Sequence, residues 1–333
     1  MYLNRLHRVN FQTTYKFRIP LDYQISAIQF QRFQSASNLS LANGPLTTLP
    51  TELKFPVRER NQNVISYYFC VGKEYLKFYK VGIKNIYYNY KASLPIQELI
   101  DSKYEGSVSQ AINANAISRS DFQLLTRNWH DLKRVPLFGL LFAMFGEFTP
   151  LIVMALGNIV PLTCRTPAQI TRERERLERL RRRAFQQITS QLPTWPGSGL
   201  GSKQLMQISI SLGLSSKIWS LFGGPPAVIL RRNVKKRLEY LGYDDRLIEI
   251  AGGVKKMSIE EVKMALVERG IDVVGRAETE LRYDLESWLK SRRGVSYSYE
   301  RLLLTRQVSS NYIKTELINR VDLLCGLVKL YYR

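Results

Sequence analysis

Cysteine and histidine are scarce in this chain: three of the first and two of the second among 333 residues. Cys70, Cys164 and Cys325 lie far apart and form no CxxC pair, which argues against a disulfide framework and a structural zinc site. With only His7 and His130, a histidine-based triad or a multi-histidine metal centre is nearly excluded. No GxxxxGK[ST] loop, GxSxG elbow or EF-hand ligand series is present. An enzyme is therefore not expected, and neither is a bound cofactor or metal. Acids are short as well, 28 Asp and Glu against 49 Lys and Arg, for a formal net charge of +21. That exceeds what solubility needs and points to anionic partners, either nucleic acid or acidic lipid headgroups. At 45% apolar residues the chain can bury a core, so wholesale disorder is excluded.

The acid deficit is sharpest at the start. Residues 1–34 hold Arg5, Arg8, Lys16, Arg18 and Arg32 against Asp22 alone, with hydroxyl and amide residues among recurrent apolar ones. This is the composition of a mitochondrial transit peptide, and Arg32-Phe33-Gln34-Ser35 suits processing after the arginine. The competing reading is a basic tail that binds something. Residues 35–63, rich in Ser, Asn, Pro and Thr, read as an unstructured linker.

Residues 64–134 read as basic, aromatic and helical. Lys73, Lys77, Lys80 and Lys84 recur on one helix face, and Tyr75, Tyr79, Ile83, Ile86 and Tyr90 on another. Such a helix suits a membrane interface, with aromatics at the headgroups and lysines toward lipid phosphate. Ordinary packing on the protein is the plainer alternative. Gly72 and Gly82 should weaken a long uninterrupted helix by about 1 kcal/mol each relative to Ala.

The run 135–160 carries one charge, Glu147. As a helix it reaches about 39 Å, against a hydrocarbon core of about 30 Å, and it reads as a single transmembrane helix. Pro150 removes the hydrogen bond to Gly146 and should kink it there. Glu147, beside the kink, has to face protein, water or a partner charge. Both a proton- or cation-handling carboxylate and a structural carboxyl fit. One span alone makes no ion pathway, so transport would require oligomers or another subunit. Arg and Lys are denser after the run than before it, which places the downstream side in the matrix.

Downstream, the pattern is all-α. Thr166-Pro167-Ala168-Gln169 starts a charged helix with a capping box, and its end leaves Arg181, Arg182 and Arg183 for phosphate. Residues 193–202 read as a loop, and 205–222 as a returning helix. Val234, Leu238 and Leu241 then mark a core face, with Arg231, Arg232, Lys235, Lys236 and Arg237 covering the sides and back. Gly252-Gly253 breaks the chain, and Ser258-Ile259-Glu260-Glu261 caps a helix with Ile259, Val262 and Leu266 inward, ended by Gly270. Leu281, Leu285, Trp288 and Leu289 mark the core face of the next helix. Residues 293–333 read as further amphipathic helix, without an assigned role.

GEFTPLIVMALGNIVPLTC, a charged helix, and then RRNVKKRLEYLGYDDRLIEIAGGVKKMSIEEVKMALVERGIDVVGRAETELRYDLESWL resemble the LETM family of mitochondrial inner-membrane proteins over roughly residues 110–292. The second segment is similar to that family's ribosome-binding domain, taken here as residues 161–292. The resemblance implies a single-pass inner-membrane protein whose C-terminal helical domain lies in the matrix. It also implies docking of mitochondrial ribosomes, through rRNA or ribosomal proteins, in support of membrane-coupled translation or protein insertion. Arg231, Arg232, Lys235, Lys236 and Arg237 would be the leading contacts, with Arg181, Arg182 and Arg183 behind them. The family implies a rival as well: cation/proton exchange, or a factor needed for it, through Glu147 and Pro150. A third reading is a structural factor that assembles inner-membrane complexes, as a homo-oligomer or with other assembly factors. The EF-hand and the long coiled coil of larger members are missing, and Ala277 stands where a capping Ser is common. Residues 258–290 alone also resemble a SAP-like helix–loop–helix, a small nucleic-acid-binding unit.

Overall fold

The computed structural model describes residues 41–57, 63–145, 160–186, 201–214, 225–293 and 303. Among them are nine α-helices and no strand: α1 (Val64–Lys103), α2 (Val108–Asn113), α3 (Arg119–Leu132), α4 (Val135–Phe145), α5 (Pro167–Gln186), α6 (Ser202–Ser211), α7 (Ala227–Ile250), α8 (Ile259–Glu268) and α9 (Glu278–Arg293). The all-α expectation holds over these residues. No helix among them is long and apolar enough to cross a membrane. Of the apolar run, only α4 and Val160 are described, so Glu147 and Pro150 lie outside the described residues. The same is true of the presequence at 1–34, residues 187–200, and the tail from 294 onward apart from Leu303. The chain divides into two compact units, one drawn from residues up to 170 with 246–257, the other from 171–245 with 258 onward.

In the first unit, α1 is the long element. Asn63 caps it by accepting from the Ile65 N–H at 3.1 Å, and it continues for 40 residues through Gly72, Gly82 and Pro95. Its buried stripe includes Phe78, Gly82, Ile86, Asn89, Ser93 and Ile100, at steps of three, four and seven. This stripe packs against α3 and two short 3-10 turns, Leu46–Thr48 and Leu162–Cys164. Lys73, Lys77, Lys80 and Lys84 are exposed, Tyr79 and Ile86 are buried, and Ile83 faces outward. Gly82 does more than weaken the helix. A Cβ there would come within 2.6 Å of Cys164 Sγ and 3.0 Å of the Thr163 carbonyl oxygen, so only glycine lets α1 touch that turn.

Residues 41–48, expected within a linker, are pinned to the helices. Asn89 accepts from the Thr47 hydroxyl at 2.6 Å and donates to the Thr47 carbonyl at 2.9 Å. Arg119 donates to the Ala42 carbonyl at 2.6 Å, and Arg127 to Thr48 Oγ1 at 3.1 Å. The reason is hydrogen-bond satisfaction: polar side chains buried on α1 and α3 need partners, and a segment outside regular structure has carbonyls to supply them.

The end of α3 carries the tightest local device. Asp131, 2% exposed, accepts from the Leu162 N–H at 2.6 Å through Oδ1. Its Oδ2 accepts from the Thr163 N–H at 3.2 Å and the Thr163 hydroxyl at 3.1 Å. His130 Nδ1 lies 3.0 Å from Oδ1. Burial lowers the His130 pKa despite the pull of that carboxylate.

The second unit is built on α8 and α9, which pack together. Val262, Ala265 and Leu266 are buried on α8, and Leu281, Leu285, Trp288 and Leu289 on α9; Ile259 is half-buried. In the 246–257 segment of the first unit, Gly252 and Gly253 take φ of +98° and +81°, the left-handed turn that ends α7 where the double glycine was expected to break the chain.

Two outcomes follow from the first unit. Asp131→Ala strands two backbone N–H groups and should cost about 2–3 kcal/mol, read as a lower urea midpoint of the detergent-solubilised chain. His130 has a folded pKa below its ordinary 6.5, so the unfolded chain takes up the proton first as pH falls. The stability it contributes is present above that value and lost below it. Wild type should lose more stability between pH 7.5 and 5.5 than His130→Gln does; equal losses would contradict this assignment.

Candidate functional site

Helix α7 supplies the main cationic face. Leu230, Val234, Leu238 and Leu241 are buried along one side, as the spacing predicts. Arg231, Arg232, Lys235 and Lys236 are all exposed within two turns of the other side. Asn233, also exposed, lies among them, so from Arg231 to Lys236 the exposed residues are polar, while Val228 and Ile229 are exposed one turn earlier. Arg237 is half-buried, with its guanidinium 5.4 Å from the centre of the Tyr240 ring. Tyr240 in turn donates to Glu268 at 2.9 Å. Arg237 therefore bridges the cationic face and the body of the unit.

The three arginines of α5 do not form one surface. Arg181 is 4% exposed and donates to the Ser211 carbonyl at 2.8 Å and the Val267 carbonyl at 3.1 Å. Burial lowers its pKa, and Glu178 works against that. Arg181 is a structural strut and leaves the set of phosphate contacts. Arg182 is exposed but paired with Glu178 at 2.9 Å and near Asp272 at 3.7 Å. Arg183 is exposed. The sequence signal was an arginine run, which does not reveal that one member points inward.

What fixes α7 lies farther along the helix. Arg269 is wholly buried at the end of α8. It donates to Asp244 Oδ2 at 2.8 Å, to Asp245 Oδ1 at 2.5 Å, and to the Ala265 carbonyl at 2.8 Å. Trp288 Nε1 donates to both Asp245 oxygens, at 3.2 and 3.1 Å. Desolvation disfavours the guanidinium's charge, but Asp245 and Asp244 outweigh it and raise its pKa. These residues come from the YDDRLI, ERGI and LESWL stretches, so three separate pieces of the sequence resemblance meet in one network. Among the described residues, no group of His, Cys, Asp and Glu could hold a metal ion.

Comparison with known families agrees with this geometry. Residues 199–309 match the family described as LETM1-like, RBD. That stretch of the chain is a LETM-type domain. Residues 59–194 match a second description, the Pentamidine resistance factor domain. The LETM-type match thus starts later than the resemblance at about residue 110, and the chain before it carries a different domain. Neither description names a reaction. No curated protein and no solved structure gives a match.

Arg269→Met should destabilise the LETM-type domain by roughly 3–5 kcal/mol, because it leaves Asp244 and Asp245 buried without their cation. Replacing Arg231, Arg232, Lys235 and Lys236 by glutamine should move the thermal midpoint little, since exposed substitutions stay within about 0.5 kcal/mol each. Circular dichroism melts of the two variants check both outcomes.

Proposed function

We propose that this LETM-type mitochondrial protein is held at the inner membrane by its first unit and docks mitochondrial ribosomes through the cationic face of α7. The observation that carries the docking reading is the set of four exposed cations, Arg231, Arg232, Lys235 and Lys236, on a helix tied into the domain by buried charges. An exposed cluster of four cations suits RNA phosphate, which is recognised by charge and by shape. Arg183 stands as a further contact. Holding the ribosome there would keep translation beside the membrane where its apolar products belong.

The membrane reading draws on the apolar run and on the outer side of α1. There Ile65, Phe69, Leu76, Ile83 and Tyr87 are exposed on one row, and Lys73, Lys77, Lys80 and Lys84 are exposed beside it. Lys73 lies 4.7 Å from the centre of the Phe69 ring, and Lys84 5.5 Å from that of Tyr88. Apolar depth alongside a cationic row is what an acidic lipid interface accepts.

The test is co-sedimentation of the detergent-solubilised full chain with purified mitochondrial ribosomes over a salt series. Saturable binding is expected at physiological salt. In the glutamine variant of Arg231, Arg232, Lys235 and Lys236, the slope of log affinity against log salt should be shallower by about 3, since each lost phosphate contact removes roughly 0.7–0.9. Equal slopes for the two proteins would reject α7 as the docking face.

A further inference from the structure

A chain that crosses a bilayer leaves its two flanks on opposite faces, apart by a hydrocarbon core of about 30 Å. In this structure the flanks of the run 135–160 are joined. Asp131, just before the run, accepts from the backbone N–H groups of Leu162 and Thr163, just after it. Phe138, near the start of the run, shares a hydrophobic core with Val160, its last residue, and with Cys164 beyond it. Farther out, Arg246 donates to Asn113 Oδ1, and Asn43 donates to the Lys256 carbonyl at 3.2 Å. All of these residues belong to the one compact unit that draws on both sides of the run.

The central contacts are built in. Asp131 and Val160 are buried, and glycine at 82 permits α1, from before the run, to touch Cys164 and Thr163, from after it.

We propose that both flanks of the apolar run stand on the same side of the membrane, so that the run enters and leaves through one face. The α1–α3 unit and the LETM-type domain then share one compartment. This replaces the single-pass arrangement expected from the length of the run, and it rests on the membrane reading given under Proposed function.

The experiment uses the full chain with Cys70 and Cys325 replaced by serine. Two exposed contacts across the run are each converted to a cysteine pair: Asn113→Cys with Arg246→Cys, and Asn43→Cys with Lys256→Cys. The protein is reconstituted into vesicles of phosphatidylcholine and phosphatidylglycerol, floated at alkaline pH, and treated with a bifunctional thiol reagent far shorter than the bilayer core. The expected result is flotation with the vesicles and intramolecular cross-linking within twofold of the yield in detergent. A link at either pair suffices, because no short reagent spans a membrane. Flotation with at least a tenfold loss of linkage at both pairs, relative to detergent, would overturn the same-side arrangement and leave the membrane reading standing. No linkage in detergent would overturn it as well, since the flanks would not meet. Failure to float would overturn the membrane reading itself, and the proposal with it.

Discussion

Arg269, with no exposed side-chain surface, sits between Asp244 and Asp245, and what the LETM-type domain presents outward depends on those three charges being satisfied together. Removing such ions from water costs several kcal/mol each, and attraction between them repays this only where the geometry is good and the remaining hydrogen-bonding capacity is used. Here the guanidinium bonds both carboxylates and a backbone carbonyl, while Trp288 donates to Asp245. A greasy core would tolerate a small slide of one helix along another; this network does not, because each bond has a direction. It therefore sets the register of three elements, with Asp244 and Asp245 on α7, Arg269 at the end of α8 and Trp288 on α9. Lys236 lies eight residues before Asp244 on the same helix, about 12 Å away, so α7 carries that register to its cationic end.

The first unit meets the same requirement with the opposite means. Asp131 draws on backbone N–H groups and a hydroxyl of the 3-10 turn at 162–164. A turn of three residues has few bonds of its own, and an ionised acceptor supplies what a longer helix would have found internally. Gly82 completes the joint by removing the one side-chain carbon that would hold α1 away.

Features that depend on near neighbours could be read from the sequence. Thr166 and Gln169 cap α5 reciprocally, at 2.9 and 3.3 Å, as their spacing predicts. Ser258 accepts from the Glu261 N–H at 3.4 Å, and the core faces of α7 and α9 follow their apolar periodicity. Partners far along the chain could not be read. Composition made residues 41–48 look like linker, because Asn89, Arg119 and Arg127, which pin them, lie 42 to 79 residues away from their partners. Arg181 looked like its two neighbours until its carbonyl partners at Ser211 and Val267 were known. The resemblance pointed to YDDRLI, ERGI and LESWL as markers of a family; that they meet around one buried guanidinium is a fact of the fold.

The charge of +21 is better understood as two surfaces than as one. Between Lys73 and Lys84, exposed Leu76 and Ile83 alternate with the lysines, so that side of α1 offers both apolar depth and positive charge. Between Arg231 and Lys236 every exposed residue is polar, and the apolar Val234 is turned inward. A lipid interface rewards both properties, and its apolar share persists when salt screens the charges. Ribosomal RNA offers mainly phosphate to such a strip, and binding there is governed by counterion release. The two cationic faces differ in the residues between their charges: apolar side chains stand among the lysines of α1, and Asn233 among the cations from Arg231 to Lys236.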